Sequence, residues 1–368
     1  MNHHHFAARP REGSTSSLGA IPILIILCVT LFCPSLSTLS AAFAAAPEKG
    51  PLAADLVADN QPIDTSSPLY ADLFRDLAER HGFTQGELHR YFDDLRIDRR
   101  VLQLMDRQGE AKPYYQYRAN FITAAIIAIG KQQLEVHRAL FDRIEDVYGV
   151  DREAIAAIWA METRFGTNQG TFGLWQTLNT LFSAYPRRSL FYRGELVEFL
   201  LLCRRYGLDP QRIKGSYAGA FGQAQFMPSS YNKYAVDFDG DGRPDLVRSY
   251  PDIFASIANY LKTFGWSFRT PLFAELGREL SSPVLAQVLQ EGRSGRIDWR
   301  RAASLQNVPL PPSPEDRPLS LVAVELSPQQ GGGMRYIAGY PNLQVISEYN
   351  HSSKYAMAVA EMAEAFKN

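Results

Sequence analysis

The chain has 368 residues, of which 46% are hydrophobic and 21% charged, proportions that are ordinary for a globular protein. A chain of this length predicts two or three domains. Its net charge is −1, and this near neutrality argues against a nucleic-acid ligand.

The N-terminus has the features of a secretory signal peptide, which we predict over residues 1–44. Arg9 and Arg11 precede an apolar run, IPILIILCVTLFC, and small residues follow it up to an Ala-Phe-Ala cleavage site that ends at Ala44. The run is short for a membrane span. We therefore expect export to the periplasm with cleavage, and an uncleaved membrane anchor is the alternative.

The cysteines limit how an exported chain could be stabilised. Removal of the signal takes away Cys28 and Cys33, neither of which lies in a lipoprotein cleavage box, so no lipid anchor is expected. Cys203 is then the only cysteine, no internal disulfide can form, and stability must come from the core. Cys203 lies in the apolar run ELVEFLLLCRRYG and is interpreted as a small buried hydrophobe, because no histidine partner is evident.

The pattern along the chain changes several times after a linker at 45–68. Helical periodicity covers residues 69–150 and again 151–267, where glycine-rich loops separate the helices. Residues 268–347 contain short alternating runs such as LSLVAVEL and MRYIAGY, which predict a few strands in a small β-containing domain. Residues 348–368 return to a helix. The predicted fold class is mainly α, of the α+β type.

The helix DREAIAAIWAMETRFG places a carboxylate on an apolar face. Asp151 is its predicted N-cap and Gly166 its predicted C′ glycine. Glu162 follows the apolar residues at three- and four-residue spacings, which puts them on one buried face. These apolar residues are Ile155, Ile158, Trp159 and Phe165.

Burial of Glu162 and the negative end of the helix dipole both disfavour its charged form, so its pKa is expected to be raised. A carboxylic acid that stays protonated near neutral pH is suited to general-acid catalysis, for example cleavage of a glycosidic bond. The alternative is a partly buried structural carboxylate paired with Arg164 or another cation.

A second candidate is the segment KGSYAGAFGQAQFMPSSY, from Lys214 to Tyr231. Its small residues let the backbone approach a flat ligand, while the hydroxyl of Ser216 and the amide of Gln225 can reach out to it, as sugar binding requires. The alternative is a flexible connector. A third candidate is the pair Arg187 and Arg188, which can hold the carboxylates of an acidic polymer or form a solvated corner.

The segment DFDGDGRPDL matches the first half of a calcium loop. Asp237, Asp239 and Asp241 occupy the first, third and fifth places, and the carbonyl of Arg243 would be the seventh. The twelfth place holds an arginine instead of the usual bidentate glutamate, so Asp252 could complete the coordination.

The alternative role for Asp252 is local capping. Ser249 and Asp252 match the pattern S-x-x-D before an apolar helix. The sequence leaves both roles open, and the cation is the favoured one.

These stretches together make the chain resemble the lytic murein transglycosylase B family, enzymes that cleave bacterial peptidoglycan. The resemblance runs from about Leu73 to the C-terminal helix. It rests on the segments HGFTQGELHRYF, YRANFIT, ETRFG, AYPRR, KGSYAGAFGQAQFMPSSY, YAVDFDGDG, ANYLKTFGW and YNHSSKYAMAV, in this order.

The resemblance implies a lysozyme-like helical core at 151–267, flanked by the helical domain and the small β-containing domain. It implies cleavage of the β-1,4 bond between N-acetylmuramic acid and N-acetylglucosamine with formation of a 1,6-anhydromuramyl end. Glu162 would act first as acid and then as base, with no cofactor for catalysis and with Ca²⁺ in a structural role. The substrate-binding residues implied are Ser216, Gln225, Phe226, Arg187, Arg188, Tyr117, Tyr260, Tyr349, Asn350 and Tyr355. The metal ligands implied are Asp237, Asp239, Asp241, Arg243 and Asp252.

Two departures from the family pattern matter. The loop after Asp237 is longer than usual, which makes Asp252 the weakest metal assignment. Phe191 followed by Tyr192 stands where the family often has a tyrosine after YPRR. The expected partners are peptidoglycan glycan strands and other cell-wall enzymes, with no nucleic acid, and the protein is expected to be a monomer. A lysozyme-type hydrolase and a non-catalytic wall-binding protein are the competing functions.

Overall fold

The protein is described by a computed structural model over residues 51–107 and 112–368, in which fifteen α-helices and five short strands are assigned. The first seven helices are α1 (Pro68–His81), α2 (Gln85–Phe92), α3 (Arg99–Arg107), α4 (Tyr114–Ala119), α5 (Ala124–Val136), α6 (Arg138–Tyr148) and α7 (Arg152–Thr163). The other eight are α8 (Leu174–Ala184), α9 (Ser189–Tyr206), α10 (Pro228–Tyr234), α11 (Tyr250–Thr263), α12 (Pro283–Gln290), α13 (Trp299–Gln306), α14 (Pro341–Tyr349) and α15 (Ser353–Lys367). The predicted signal peptide at 1–44 lies outside the described residues.

The strands form two small antiparallel sheets. β1 (Phe172–Gly173) pairs with β2 (Lys214–Gly215). β3 (Phe273–Gly277), β4 (Ser320–Glu325) and β5 (Met334–Gly339) form the second sheet in the order β3-β5-β4. β4 and β5 coincide with the runs LSLVAVEL and MRYIAGY, so the prediction of strands there is confirmed.

Helix α7 is buried on every side. All residues from Ala154 to Met161 are buried, and the helix contacts α5, α6, α11 and α15. A helix that is apolar all round belongs in the middle of a core. The sequence predicted one buried face, whereas α7 is buried all round. The small side chains of the four alanines in α7 leave room for helices on each side.

The start of α7 differs from the predicted cap. Asp151 occupies the N-cap position, but its side chain makes no capping hydrogen bond. Its carboxylate accepts from the indole N–H of Trp266 at 2.8 Å and from the backbone N–H of Arg269 at 3.2 Å. Asp151 therefore ties the start of α7 to the segment that follows α11.

The end of α7 also differs from the prediction. The helix ends at Thr163, and the left-handed turn after it is made by Arg164 and Phe165, with φ of 49° and 59°. Gly166 follows at φ 81° and is not the first residue of the turn. A side chain at Gly166 would place its Cβ 2.3 Å from the amide oxygen of Gln223, so this glycine is required by close packing.

Residues 51–368, as far as they are described, belong to one compact unit. One large apolar cluster runs from Ala53 to Phe366, and a smaller one lies between Leu276 and Tyr340. The division of the chain at residues 69, 151, 268 and 348 stays a prediction.

Two single observations complete the fold. Cys203 is buried, and burial raises the pKa of its thiol to about 12, which agrees with its interpretation as an inert hydrophobe. Within the described part of the chain, every helix is too short or too polar to cross a lipid bilayer.

Candidate active site

Glu162 lies in the last turn of α7 and is half-buried. Its Oε1 accepts a hydrogen bond of 2.6 Å from the hydroxyl of Tyr355. Burial raises the pKa of Glu162 to about 7, and the hydrogen bond from Tyr355 acts in the opposite direction. The expectation of a raised pKa at this residue is confirmed.

The alternative of an ion pair with Arg164 is wrong. Arg164 is exposed in the left-handed turn, and among the described residues no cation forms a salt bridge with Glu162. The partner of Glu162 is a neutral hydroxyl, which does not hold the carboxylate in its charged form as an arginine would.

Three tyrosines surround Glu162, and each is supplied by a different helix. Tyr355 lies in the first turn of α15, Tyr349 ends α14, and Tyr117 lies on α4. Burial and then the charge of Glu162 raise the pKa of all three, that of Tyr117 to about 12. The hydroxyl of Tyr349 donates to the carbonyl of Ala224 at 2.6 Å, which ties α14 to the loop after β2.

Gln223 joins the loop after β2 to α7. Its side-chain oxygen accepts from the indole N–H of Trp159 at 2.7 Å, and its backbone carbonyl accepts from the hydroxyl of Thr163 at 3.1 Å. Trp159 and Thr163 flank Glu162 on α7, so Gln223 fixes the loop beside the carboxylate. The sequence indicates that the loop matters, but it does not predict the hydrogen bond between Trp159 and Gln223, because these residues are 64 positions apart in the chain.

Ser216 and Gln225 are both half-buried in this loop. The hydroxyl oxygen of Ser216 accepts from the backbone N–H of Ala220 at 3.1 Å. Gln225 has a left-handed backbone at φ 49°, and its amide donates to the carbonyls of Gly222 and Gln169 at 2.9 and 3.2 Å. These bonds hold the loop in shape, and they leave the Ser216 proton and the Gln225 oxygen free of recorded partners within the described residues. The loop is therefore not a flexible connector.

Phe226 and Tyr260 lie beneath the cleft and not on its surface. Phe226 is 2% exposed and packs against Tyr260 and Tyr349, each with a ring distance of 5.8 Å. Tyr260 is also buried, and its hydroxyl donates to the carbonyl of Glu348 at 2.7 Å. Phe226 was expected near the groove and Tyr260 in the cleft; in this structure both pack against Tyr349, and their contact with substrate stays a prediction.

The paired arginines lie on an exposed short 3-10 helix, Pro186–Arg188, directly before α9. The guanidinium of Arg188 lies 4.2 Å from the ring centre of Phe191, the residue that departs from the family pattern. The guanidinium of Arg187 lies 5.9 Å from the ring centre of Tyr185, and the charge of Arg188 acts on the carboxylate of Glu195, which lowers the pKa of that carboxyl group against the effect of burial. Asn350 is exposed at the end of α14.

A buried glutamate that the sequence analysis missed lies on α9. Glu195 is 4% exposed, burial raises its pKa, and it accepts from both the backbone N–H and the hydroxyl of Ser229, at 2.9 and 2.7 Å. It anchors the start of α10 directly after the loop. The apolar run ELVEFLLLC carried the same signal as the run around Glu162, but the oxygens of Glu195 are already occupied.

The calcium-type loop brings three carboxylates together. One oxygen from each of Asp237, Asp239 and Asp252 lies within 4.8 Å of the others. Asp252 is fully buried and accepts from the backbone N–H groups of Phe238 and Asp245, both at 2.7 Å. The structure therefore places Asp252, the weakest metal assignment from the sequence, beside Asp237 and Asp239, and its role as a ligand stays a prediction.

Asp241 does not belong to this group of three, and Asp241 and Arg243 are both exposed. The pairing of Asp252 with Ser249 at the helix start is compatible with its position in the group of three carboxylates. The hydroxyl of Ser249 accepts from the backbone N–H of Asp252 and donates to the carboxylate of Asp239 at 2.6 Å. The two roles left open for Asp252 therefore do not exclude each other.

Comparison with known proteins identifies the family. The family described as Transglycosylase SLT domain matches residues 66–364. The membrane-bound lytic murein transglycosylase B of Escherichia coli (strain K12) is 35% identical over 301 residues, which cover 78% of this chain and 80% of that protein. The chain belongs to the SLT-domain lytic transglycosylases.

Solved structures of other lytic transglycosylases share the fold. The Escherichia coli lytic transglycosylase SLT35 in complex with calcium has a TM-score of 0.72 at 33% identity, covering 84% of this chain and 96% of that chain. SltB3 from Pseudomonas aeruginosa in complex with NAG-anhNAM-pentapeptide has a TM-score of 0.69 at 29% identity, covering 81% and 79%. The mainly α, lysozyme-like fold is confirmed. The class of enzyme is confirmed too: this lytic transglycosylase is a lyase that acts on peptidoglycan.

Proposed function

We propose that Glu162 performs both proton transfers in this lytic transglycosylase. The bond cleaved is the β-1,4 bond between N-acetylmuramic acid and N-acetylglucosamine, and the product end is 1,6-anhydromuramic acid. The observation that carries the proposal is the pKa of about 7 at a carboxyl group that burial keeps from ionising.

The proton path balances without water. The proton of Glu162 passes to the glycosidic oxygen while the bond from that oxygen to C1 of the muramyl residue breaks. The carboxylate of Glu162 then accepts the proton of the muramyl 6-hydroxyl. At the same time the oxygen of that hydroxyl forms a bond to C1 of the same muramyl residue. Glu162 ends the cycle protonated, so the same group is ready for the next turnover.

The neighbours of Glu162 support a single catalytic carboxyl group. In the described part of the chain, the groups whose pKa responds to its charge are tyrosines: Tyr117, Tyr349 and Tyr355. Its own pKa is set by burial and by Tyr355, with no contribution from a second carboxylate. Glycoside hydrolases of the usual type place two carboxyl groups around the bond. An arrangement with one carboxyl group favours internal attack by the substrate over hydrolysis.

Tyr355 has a separate role in the proposed cycle. Its hydroxyl donates to the carboxyl group of Glu162, and such a bond stabilises the charged form. The bond therefore stabilises the carboxylate that exists between the two transfers. Tyr117 and Tyr349 limit access of water to this charge.

Around this centre we assign substrate contacts to exposed or half-exposed polar groups. Ser216 and Gln225 would bind the acetamido and hydroxyl groups of the sugars, with Asn350 at the edge of the cleft. Arg187 and Arg188 would bind the lactyl or peptide carboxylates on the muramyl side. SltB3 was solved with NAG-NAM-pentapeptide, so a related enzyme does bind a ligand that carries a peptide.

The three-carboxylate group fits a structural Ca²⁺. Two oxygens bound to one Ca²⁺, each at about 2.4 Å, lie at most about 4.8 Å apart, and the oxygens of Asp237, Asp239 and Asp252 lie within that limit of one another. A cation there would neutralise like charges that otherwise repel. Its proposed function is to hold the loop to the start of α11 and it takes no part in the reaction.

The proposed location is the periplasm after export, with an uncleaved signal as an alternative membrane anchor. The Escherichia coli relative is described as membrane-bound. The proposed partners are the glycan strands of peptidoglycan and other cell-wall enzymes, and the protein is proposed to be a monomer.

The chemical identity of the new muramyl end tests the proposal. Purified sacculi are digested with the enzyme, and the fragments are weighed by mass spectrometry. Anhydromuramyl ends, lighter by one water than reducing ends, are expected. Reducing ends would show a hydrolase, and the absence of fragments despite binding would show a wall-binding protein.

A further inference from the structure

The backbone after α7 turns through three consecutive left-handed residues. Arg164, Phe165 and Gly166 have φ of 49°, 59° and 81°. For an arginine or a phenylalanine this conformation is unfavourable, and it persists only where the surrounding contacts hold it. Gln225, in the loop after β2, is also left-handed, at φ 49°. Strained backbone therefore occurs both directly after the helix that carries Glu162 and in the loop assigned to substrate binding.

The hydroxyl of Thr163 joins these two strained segments. Thr163 is 1% exposed, and its oxygen accepts from the backbone N–H of Gly166 at 3.0 Å, within the turn. Its proton is shared between the backbone carbonyls of Gln223 and Trp159, whose oxygens lie 3.1 and 3.2 Å from the hydroxyl oxygen. One side chain is thus bound to the left-handed turn, to the loop and to α7.

Two further contacts hold the turn against the loop. Gly166 packs directly on the side-chain amide of Gln223, with no space for a Cβ between them. The backbone carbonyl of Gln169 accepts from the side-chain amide of Gln225 at 3.2 Å. Since the amide of Gln225 is proposed to bind the sugars, the turn also fixes the orientation of a substrate-binding group.

The two groups bound by the Thr163 hydroxyl have no substitute partner in the described part of the chain. The N–H of Gly166 donates to no other acceptor there, and the carbonyl of Gln223 accepts from no other donor. Removal of the hydroxyl leaves a donor and an acceptor unpaired at a largely buried junction, which is unfavourable. The turn and the loop are then expected to separate until water reaches both groups.

We infer that Thr163 is a positioning residue for the proposed reaction. Its hydroxyl holds the loop that carries Ser216 and Gln225 at a fixed distance from Glu162, so that the sugar is bound where the carboxyl group reaches the glycosidic oxygen. A displacement of about 1 Å between the binding groups and the reacting group can lower a rate about 10²-fold. The inference rests on the function proposed for Glu162 and for this loop.

The experiment compares two threonine-to-valine variants, because valine keeps the branched shape of threonine and lacks the hydroxyl. Thr163→Val should lower kcat/KM for the release of fragments from purified sacculi by about 10²-fold. Thr163→Ser keeps the hydroxyl and should retain most of the wild-type rate. Thr177→Val is the matched control and should keep the wild-type rate. Thr177, on α8, is also 1% exposed, and its hydroxyl has no partner among the described residues.

Two further measurements separate positioning from a loss of stability. In Thr163→Val the fall of kcat/KM near pH 7 should stay at the same pH, because burial and Tyr355 set the pKa of Glu162. The losses in Thr163→Val and Ser216→Ala should not multiply in the double variant, because both changes act on the same loop. Circular dichroism checks that each variant is folded at the assay temperature.

Three results would overturn the inference: equal rates in Thr163→Val and Thr177→Val, a rate in Thr163→Ser as low as in Thr163→Val, and losses that multiply in the double variant. If Thr163→Val does not fold, Thr163→Ala takes its place beside Thr163→Ser. Glu162→Gln in the same assay separates the two proposals. Residual lysis in Glu162→Gln would reject the role of Glu162, whereas loss there without loss in Thr163→Val would reject only the role of Thr163.

Discussion

The hydroxyl of Tyr355 donates a 2.6 Å hydrogen bond to Oε1 of Glu162, although the two residues are 193 positions apart in the chain. Burial of Glu162 raises its pKa to about 7, and this bond lowers it. The carboxyl group is therefore placed where it can both lose and regain a proton near neutral pH. The balance depends on α15 returning to pack against α7.

Glu162→Gln should lower wall lysis by about 10³-fold or more while leaving sacculus binding intact, because glutamine keeps the shape but carries no transferable proton. The assay is release of soluble fragments from purified sacculi, with a pull-down for binding. Glu153→Gln is the matched control. Glu153 lies on the same helix and burial raises its pKa as well, but it is not part of the site. Residual lysis in Glu162→Gln close to that of the control would disprove the assigned role.

Tyr355→Phe should move the pH dependence of lysis. In the proposed mechanism Glu162 must begin the cycle protonated, so kcat/KM should fall as the pH rises through about 7. Phenylalanine removes the bond that favours the carboxylate, the pKa of Glu162 rises, and the fall should shift to higher pH with a lower maximum. Profiles for wild type, Tyr355→Phe and the nearby control Tyr115→Phe test this. A fall that stays at the same pH in Tyr355→Phe would contradict it.

The buried carboxyl group of Glu162 should also reduce the stability of the folded protein at high pH. The folded state holds the proton of Glu162 up to about pH 7, whereas the unfolded chain releases it near pH 4.5. The contribution of Glu162 to the free energy of unfolding is therefore fully present below about pH 4.5 and is lost as the pH rises to about 7. Glu162→Gln should therefore be more stable than wild type at about pH 8, by about 2 kcal/mol, since partial exposure reduces the full effect. At about pH 4 the two should be equal. Urea unfolding at both pH values measures this, and a pH-independent difference would contradict it.

Some of the site follows from sequence because the signal is local. Glu162 stands out through helical spacing to apolar neighbours, and Glu195 shows the same pattern, so spacing finds buried carboxylates without telling which one is catalytic. The difference lies in the partners: Ser229 occupies both oxygens of Glu195, while Tyr355 occupies one of Glu162. Partners that distant in the chain cannot be read from local spacing.

Other parts of the site depend on packing that local sequence does not show. Phe226 and Tyr260 lie in aromatic segments that suit a sugar-binding surface, and both are buried against Tyr349. Asp252, which the sequence analysis offered to complete the coordination, lies beside Asp237. The chain folds back at Ser249, which caps the start of α11 and puts Asp252 beside the loop.

Calcium should stabilise the protein through this folded-back loop. Binding to the folded state alone adds about 2.7 kcal/mol at a hundredfold excess over Kd, so Tm should rise by several degrees and return on addition of a chelator. Asp239→Asn should abolish the rise, because Asp239 contributes one of the three clustered carboxylates. Asp245→Asn is the matched control: it removes an equal charge from the same loop, but the carboxylate of Asp245 accepts from Val247 and Arg248 and lies outside the cluster. Scanning calorimetry with calcium and with chelator gives the comparison. An equal rise in Asp239→Asn and Asp245→Asn would place the ion elsewhere, and no rise in wild type would remove the metal from this loop.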